Sequence, residues 1–113
     1  NKLDGTYNYG IMKELGIGGN PKVIKSISIY EKAAKLNHIP SLVHLGTIYE
    51  SGKNMSCPNI TRAMSYYQKA KSLGCKSADE GIIRINRKTK YNMGNLITYD
   101  LCDSVRLSNL LFI

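Results

Sequence analysis

The residues that could do chemistry in this sequence are two histidines, two regularly spaced glutamates and three cysteines. His38 stands in a predicted turn beside Pro40, and His44 stands on a predicted helix with no Cys, Asp or Glu placed to orient it. General acid–base and nucleophilic catalysis need such a partner to orient the imidazole. Glu14 and Glu50 lie 36 residues apart, and we interpret these glutamates and both histidines as solvated surface residues. We therefore predict no catalytic residues and no enzyme activity in this chain.

The cysteines do not form a metal-binding pattern. Cys57, Cys75 and Cys102 are odd in number and widely spaced, without a Cys-x-x-Cys pair, so we predict no metal and no cofactor. Cys57 and Cys75 flank one predicted helix and should lie more than about 20 Å apart, too far for a disulfide. Reduced thiols favour a cytoplasmic location. The glycosylation acceptor patterns that start at Asn54 and Asn59 leave the lumen of the endoplasmic reticulum as an alternative.

The chain is strongly basic, with 113 residues and a formal net charge of +8. This charge permits an anionic partner such as nucleic acid or an acidic protein surface. Most lysines are scattered, as on solvated helix faces, and the one cluster consists of Arg84, Arg87, Lys88 and Lys90. No stretch approaches the roughly 20 apolar residues of a membrane span. We therefore predict a protein or peptide partner, with nucleic acid as the second class.

Two predicted helices flank a polar loop in the middle of the chain. Their apolar residues recur in steps of three and four, which is typical of amphipathic helices. These residues are Leu42, Leu45, Ile48, Tyr49, Ile60, Ala63, Met64, Tyr67, Ala70 and Leu73. Gly52 suits the end of the first helix because glycine tolerates a positive φ. Pro58 suits the start of the second, where its missing N–H costs nothing.

A diluted copy of this helical pair lies upstream. Gly10 stands 36 residues before Gly46, and Tyr30 stands 37 residues before Tyr67. A period of roughly 20–50 residues is the signature of a helical array. A glycine within a helix costs about 1 kcal/mol of stability relative to alanine, so its recurrence indicates a packing interaction that offsets this cost. We interpret that interaction as close approach of two helix backbones. Ile83 takes the glycine position in a third copy, so we expect the regular stack to stop there.

The same signals predict the remaining elements. We expect helices over 6–15, 21–36 and 77–87, and a loop over 88–95. Asn20 should cap the second of these helices, and Ile24 should face the core.

These repeats carry a family resemblance. The motif of the second copy consists of Leu45-Gly46, Tyr49, Gly52, Arg62-Ala63, Tyr66-Tyr67, Lys69-Ala70 and Gly74. It resembles the Sel1-like repeat, a relative of the tetratricopeptide repeat, and the resemblance covers about residues 5–87. The resemblance implies an all-α fold, a short right-handed α-solenoid of helix–loop–helix repeats with a C-terminal capping helix. It also implies a non-enzymatic scaffold or adaptor, because proteins with similar repeats commonly have that function.

We divide the single domain, 1–113, into repeat one at 5–40, repeat two at 41–76, a partial third repeat at 77–95 and a last helix at 96–113. The last helix is expected to cap the open end of the solenoid or to dock on a partner subunit. About three units are usually needed for independent stability, so we expect a fragment or a subunit of something larger.

In related solenoids, the first helix of each unit lines the concave face. We therefore expect a peptide or protein segment to bind along one stripe of that face, with its acidic part towards the basic end. The stripe consists of Asn8, Ile11, His44, Thr47, Arg84, Arg87 and Lys88. The alternatives are a basic RNA-binding repeat protein and an endoplasmic-reticulum quality-control adaptor. An enzyme that carries its activity on another domain is a further class.

Overall fold

The computed structural model describes residues 2–52 and 57–93. Over these residues the chain forms helices and no strands, as the sequence predicts. The helices are α1 (Lys2–Leu15), α2 (Val23–Lys35), α3 (Ile39–Ser51), α4 (Ile60–Ser72) and α5 (Lys76–Met93). α1 packs against α2 and α3 against α4, and the pairs join through contacts of α2 with α3 and of α4 with α5. The chain is therefore an all-α solenoid of stacked helical pairs.

The central pair, α3 and α4, begins and ends for identifiable reasons. Gly52 ends α3 with a φ of +67°, and its N–H donates to the carbonyl oxygen of Ile48 at 3.0 Å. The side-chain oxygen of Asn59 accepts from the backbone N–H of Arg62 at 3.1 Å and so caps α4. The prediction for Gly52 is confirmed. Pro58 lies two residues before α4 and is not its first residue.

The core lies between the paired helices and centres on two fully buried tyrosines, Tyr30 and Tyr67. A Cβ atom on Gly10 would lie 2.6 Å from Cε1 of Tyr30, and one on Gly46 would lie 2.6 Å from Cε1 of Tyr67. The repeated glycines therefore accommodate tyrosine rings. Our interpretation that they bring two helix backbones together is wrong in that detail.

The third copy continues the packing in a different way. A Cβ atom on Gly81 would lie 2.7 Å from Cζ of Tyr67, so the Tyr67 ring lies between Gly46 and Gly81. α5 consequently packs on both α4 and α3. Ile83 is 51% exposed, and it does not stop α5 from stacking, because Gly81 is the residue that faces the ring.

Several predicted boundaries were wrong. α1 begins at Lys2, and α5 continues to Met93 through most of the predicted loop, where lysine and methionine favour helix. α2 begins at Val23, and its N-cap is Lys22, without a side-chain cap. Ile24 is 83% exposed, because the buried face of α2 consists of Ser26, Ile29, Tyr30, Ala33 and Ala34. The predicted capping helix at 96–113 lies outside the described residues.

Candidate functional site

The first junction between helical pairs is a hydrogen-bonded cluster around Glu14. The hydroxyl of Tyr30 donates to Oε1 of Glu14 at 2.6 Å, and Nε2 of His44 lies 2.9 Å from the same oxygen. The rings of Tyr30 and His44 are 4.6 Å apart between centroids, and the hydroxyl of Tyr7 lies 3.3 Å from Nδ1 of His44. Burial, and then the hydrogen bond to Glu14, raise the pKa of Tyr30. Glu14 and His44 are therefore packed groups and not the solvated ones we predicted.

The second junction repeats this arrangement with a different third partner. The hydroxyl of Tyr67 donates to Oε1 of Glu50 at 2.8 Å. Arg84 donates to both carboxylate oxygens, from Nε at 2.6 Å and from a terminal nitrogen at 2.7 Å, while Nζ of Lys88 lies 3.7 Å away. The Glu50 side chain is 7% exposed. The hydrogen bonds from Arg84 lower the pKa of Glu50 below its usual value, so its predicted solvation was also wrong.

His38 is a third case in which the sequence misled us. It is buried, with Nδ1 at 2.7 Å from Oγ of Ser41 and Nε2 at 2.7 Å from a carboxylate oxygen of Asp4. Protein groups occupy both ring nitrogens of His38 and both of His44. Neither imidazole presents a free nitrogen to a substrate, so both histidines hold helices together. In the described parts of the chain, no group of three potential ligands could hold a metal ion.

A groove of about 330 Å³ runs between α1, α3 and the start of α5. We call it the central groove, and it is lined by Tyr7, Ile39, Pro40, Val43, His44, Thr47, Cys75 and Ser77. No residue of this lining carries a full charge unless the histidine is protonated. The thiol of Cys75 lies 3.1 Å from the hydroxyl of Ser77, and this hydrogen bond lowers the pKa of the thiol. The groove offers an apolar wall with hydroxyl, imidazole and thiol groups along it.

A second depression, of about 480 Å³, lies on the exposed side of α5. We call it the α5 depression, and it is lined by Glu80, Ile83, Arg84, Arg87 and Lys88. Its three cations outnumber its one carboxylate. However, Glu50 is bound to Arg84 and also lies 3.7 Å from Nζ of Lys88, so Arg87 is the cation of this depression that Glu50 does not pair with.

The seven predicted partner-binding residues fall into three groups. Asn8 is exposed on α1, whereas Ile11 is half-buried and packs against the core. His44 and Thr47 line the central groove, and the three basic residues line the α5 depression. The predicted stripe left out four residues that line the central groove, namely Tyr7, Val43, Cys75 and Ser77. The stripe followed one face of each first helix, and these four residues lie on the neighbouring face or, for Cys75, just before α5.

Comparison with known families identifies the repeats. The family model of the Sel1 repeat matches residues 3–38 and 39–75, which together make up more than half of the chain. The chain belongs to the Sel1 repeat family. Proteins built from Sel1 repeats generally serve as non-catalytic scaffolds for protein interactions.

Related proteins agree with this assignment. A putative sel1-like repeat-containing protein of Acanthamoeba polyphaga mimivirus is 34% identical over 68 residues, which are 60% of this chain and 12% of that protein. The chain thus spans about an eighth of the length of this relative. Within the described residues, no helix is long and apolar enough to cross a membrane.

Solved structures show the same architecture. A Sel1 repeat protein from Oxalobacter formigenes aligns with a TM-score of 0.65 and 27% identity over 73% of this chain and 61% of that one. A protective antigen of uropathogenic Escherichia coli strains, which displays an SLR fold, aligns with a TM-score of 0.64 and 22% identity over 71% and 17% of the two chains. The solenoid of Sel1 repeats is therefore a known fold.

Proposed function

We propose that this Sel1 repeat chain is a non-enzymatic adaptor that binds an extended protein segment in the central groove. The observation that supports this proposal is the lining of that groove, which combines apolar side chains with polar groups of small size. Peptide-binding grooves commonly combine an apolar surface with a few placed polar groups that fix orientation.

The segment would run from the exposed side of α1, near Asn8, across His44 and Thr47 to the α5 depression. An acidic residue at its end would meet Arg87, with Lys88, which shares Glu50 with Arg84, beside it. The part of the segment in the central groove would be apolar or neutral, because that groove presents no unpaired charge.

A displayed peptide library selected on the purified chain would test the proposal. Selected peptides should lose about tenfold or more in affinity against Ser77→Arg, because the new side chain fills the groove. Thr61→Arg is a matched control, since Thr61 is the second residue of α4 as Ser77 is the second residue of α5. Equal affinity for both variants would contradict a site in the central groove.

The two alternative functions give different results. An RNA-binding repeat protein should bind single-stranded oligouridine with an affinity that falls steeply as salt rises. An adaptor of endoplasmic-reticulum quality control should carry sugar on Asn54 or Asn59 in native material. Asn59 is exposed and uses only its side-chain oxygen to cap α4.

A further inference from the structure

The second helices of the two Sel1 repeats, α2 and α4, form a surface on which positive charge is concentrated. Over Val23–Lys35 and Ile60–Ser72 they carry six lysines and arginines and one carboxylate, that of Glu31. This carboxylate already accepts a hydrogen bond from the hydroxyl of Tyr49 at 3.2 Å. Glu31 offsets one of the six positive charges, and Asp79 of α5 offsets a second, because it pairs with Lys71 at 2.8 Å. Four of the six positive charges therefore remain on this surface.

The exposed residues of this surface repeat in register from α2 to α4. Each of four exposed positions has a counterpart 37 residues later with the same character, and all eight residues are exposed. The pairs are Lys25 with Arg62, Ser28 with Ser65, Lys32 with Lys69, and Leu36 with Leu73. We call these two rows the basic face. Each row places two cations about two helical turns apart, with a leucine beyond the second cation.

A groove of about 240 Å³ lies between α2 and α4, beside the second row. It is lined by Glu31, Lys35, Arg62, Tyr66 and Lys69, and buried Ala34 and Leu42 form its apolar base. Lys69 lies 3.4 Å from the carbonyl oxygen of Ala34, and Arg62 lies 3.2 Å from the hydroxyl of Tyr49. These contacts hold two of the cations at the rim without neutralising their charge.

The first row is the more available of the two, because Arg62 and Lys69 of the second row are already held by Tyr49 and Ala34. Within the described residues, Lys25 and Lys32 make no salt bridge with a carboxylate, in contrast to Arg84, which Glu50 binds through both oxygens. An acidic partner therefore finds more unpaired charge on the basic face than in the α5 depression.

We propose that the basic face is a second docking surface and that its occupant is an acidic protein segment with interspersed leucine-like side chains. Charge complementarity favours the acidic residues, and exposed Leu36 and Leu73 together with the apolar groove base favour the apolar ones. Nucleic acid fits less well, because single strands bind through exposed aromatic side chains and Tyr66 is half-buried and stacked on Tyr49 at 5.8 Å. The proposal extends the proposed function to a second face, so that one chain would bridge two partners.

A designed probe tests this proposal on the full chain. A short fluorescent peptide that repeats Glu-Glu-Leu-Ser should bind, and the same peptide with glutamine in place of glutamate should bind much more weakly. The double substitution Lys25→Gln with Lys32→Gln should weaken binding of the acidic peptide about threefold to thirtyfold, given the usual worth of exposed charge pairs. The loss should shrink as salt screens the charges.

The control removes the same net charge elsewhere. Lys2→Gln with Lys76→Gln changes two exposed lysines at the starts of α1 and α5 and should change affinity less than about twofold. Circular dichroism should show the same helix content for both double variants. Ser77→Arg should not weaken the probe, which separates this surface from the central groove.

Three outcomes would overturn the proposal. Equal weakening by both double variants would mean attraction by net charge alone. Equal binding of the glutamate and glutamine peptides would remove the acidic requirement. Tighter binding of single-stranded oligouridine, with the same dependence on Lys25 and Lys32, would assign the face to nucleic acid.

Discussion

The two junctions of this solenoid share a tyrosine–glutamate hydrogen bond and differ in what completes it. At the first junction, His44 completes the Tyr30–Glu14 pair, and at the second, Arg84 completes the Tyr67–Glu50 pair. Arginine is always charged and binds both carboxylate oxygens, whereas histidine offers one nitrogen and a ring that stacks on the tyrosine. The second junction therefore depends on a salt bridge, and the first on ring packing and on the hydrogen bonds of His44 with Glu14 and Tyr7.

The two buried tyrosine rings also have different neighbours. Tyr67 is enclosed between Gly46 and Gly81, so backbone lies close on both sides of its ring. Tyr30 has Gly10 on one side and the His44 ring on the other. The His44 side chain is 29% exposed and can move outward, whereas the backbone at Gly81 cannot. The first junction should consequently tolerate change better than the second.

The largest expected effect comes from filling the glycine positions. Gly46→Val should destabilise the chain by about 3 kcal/mol, at the upper end for an overpacked core, because Tyr67 has no space to shift. Gly10→Val should cost about 1–2 kcal/mol, because the His44 side chain can yield. Urea unfolding followed by circular dichroism measures both values.

Gly5→Val is the control for helix propensity. Gly5 lies in α1, and a Cβ atom there meets nothing within 4 Å. It should change stability by less than about 0.5 kcal/mol. Equal costs at Gly10 and Gly46 would contradict the difference we draw between the junctions.

Sequence patterns were sufficient to predict the helices and the repeats. The spacing of Leu42, Leu45, Ile48 and Tyr49 predicted a buried face, and all four residues are buried. The recurrence of Gly10 and Gly46 predicted that something approaches closely, and a ring does so in both cases. Patterns of this kind are local, so a single sequence contains them.

The partners of the polar side chains could not be predicted in the same way. Glu14 meets Tyr30 and His44 across 16 and 30 residues, and His38 meets Asp4 across 34. Such contacts depend on how one helical pair is rotated on the next, which helical periodicity does not specify. A glutamate or histidine that is buried by a later repeat has the same local sequence as a solvated one, so we assigned all of them to the surface.

Removing one carboxylate charge at each junction should distinguish the salt bridge of the second junction from the hydrogen bonds of the first. Glu50→Gln should cost about 2 kcal/mol, within the range for hydrogen bonds to charged groups, because it leaves the Arg84 guanidinium without its anion. Glu14→Gln should cost about 1 kcal/mol, since glutamine can still accept from the Tyr30 hydroxyl. The measurement is the free energy of unfolding of each variant, and a larger cost at Glu14 would reverse our ranking.

The pH dependence of the stability lost in Glu50→Gln gives a further test. The pKa of Glu50 is lowered in the folded chain from an ordinary value of 4.5, so the folded state favours the ionised carboxylate. Its contribution to stability is fully present above the unfolded pKa and is lost as the pH falls through the folded pKa. The gap in melting temperature between wild type and Glu50→Gln should therefore be constant from pH 7 to about pH 5 and should shrink at lower pH. A gap that widens on acidification would contradict the assigned direction.

The smallest expected effect concerns the starts of α2 and α4, which adopt similar backbone geometry with different caps. Asn59 has φ −120° and ψ 89° and caps α4 through its side chain, whereas Lys22 has φ −132° and ψ 78° and makes no side-chain cap bond. Lys22→Asn, 37 residues before Asn59, should supply the missing acceptor and stabilise the chain by about 0.5–1 kcal/mol. Lys22→Gln is the control, because it removes the same charge without a suitable cap. If both variants have the same thermal midpoint, charge removal and not capping accounts for the change, and the two helix starts are less alike than their dihedral angles indicate.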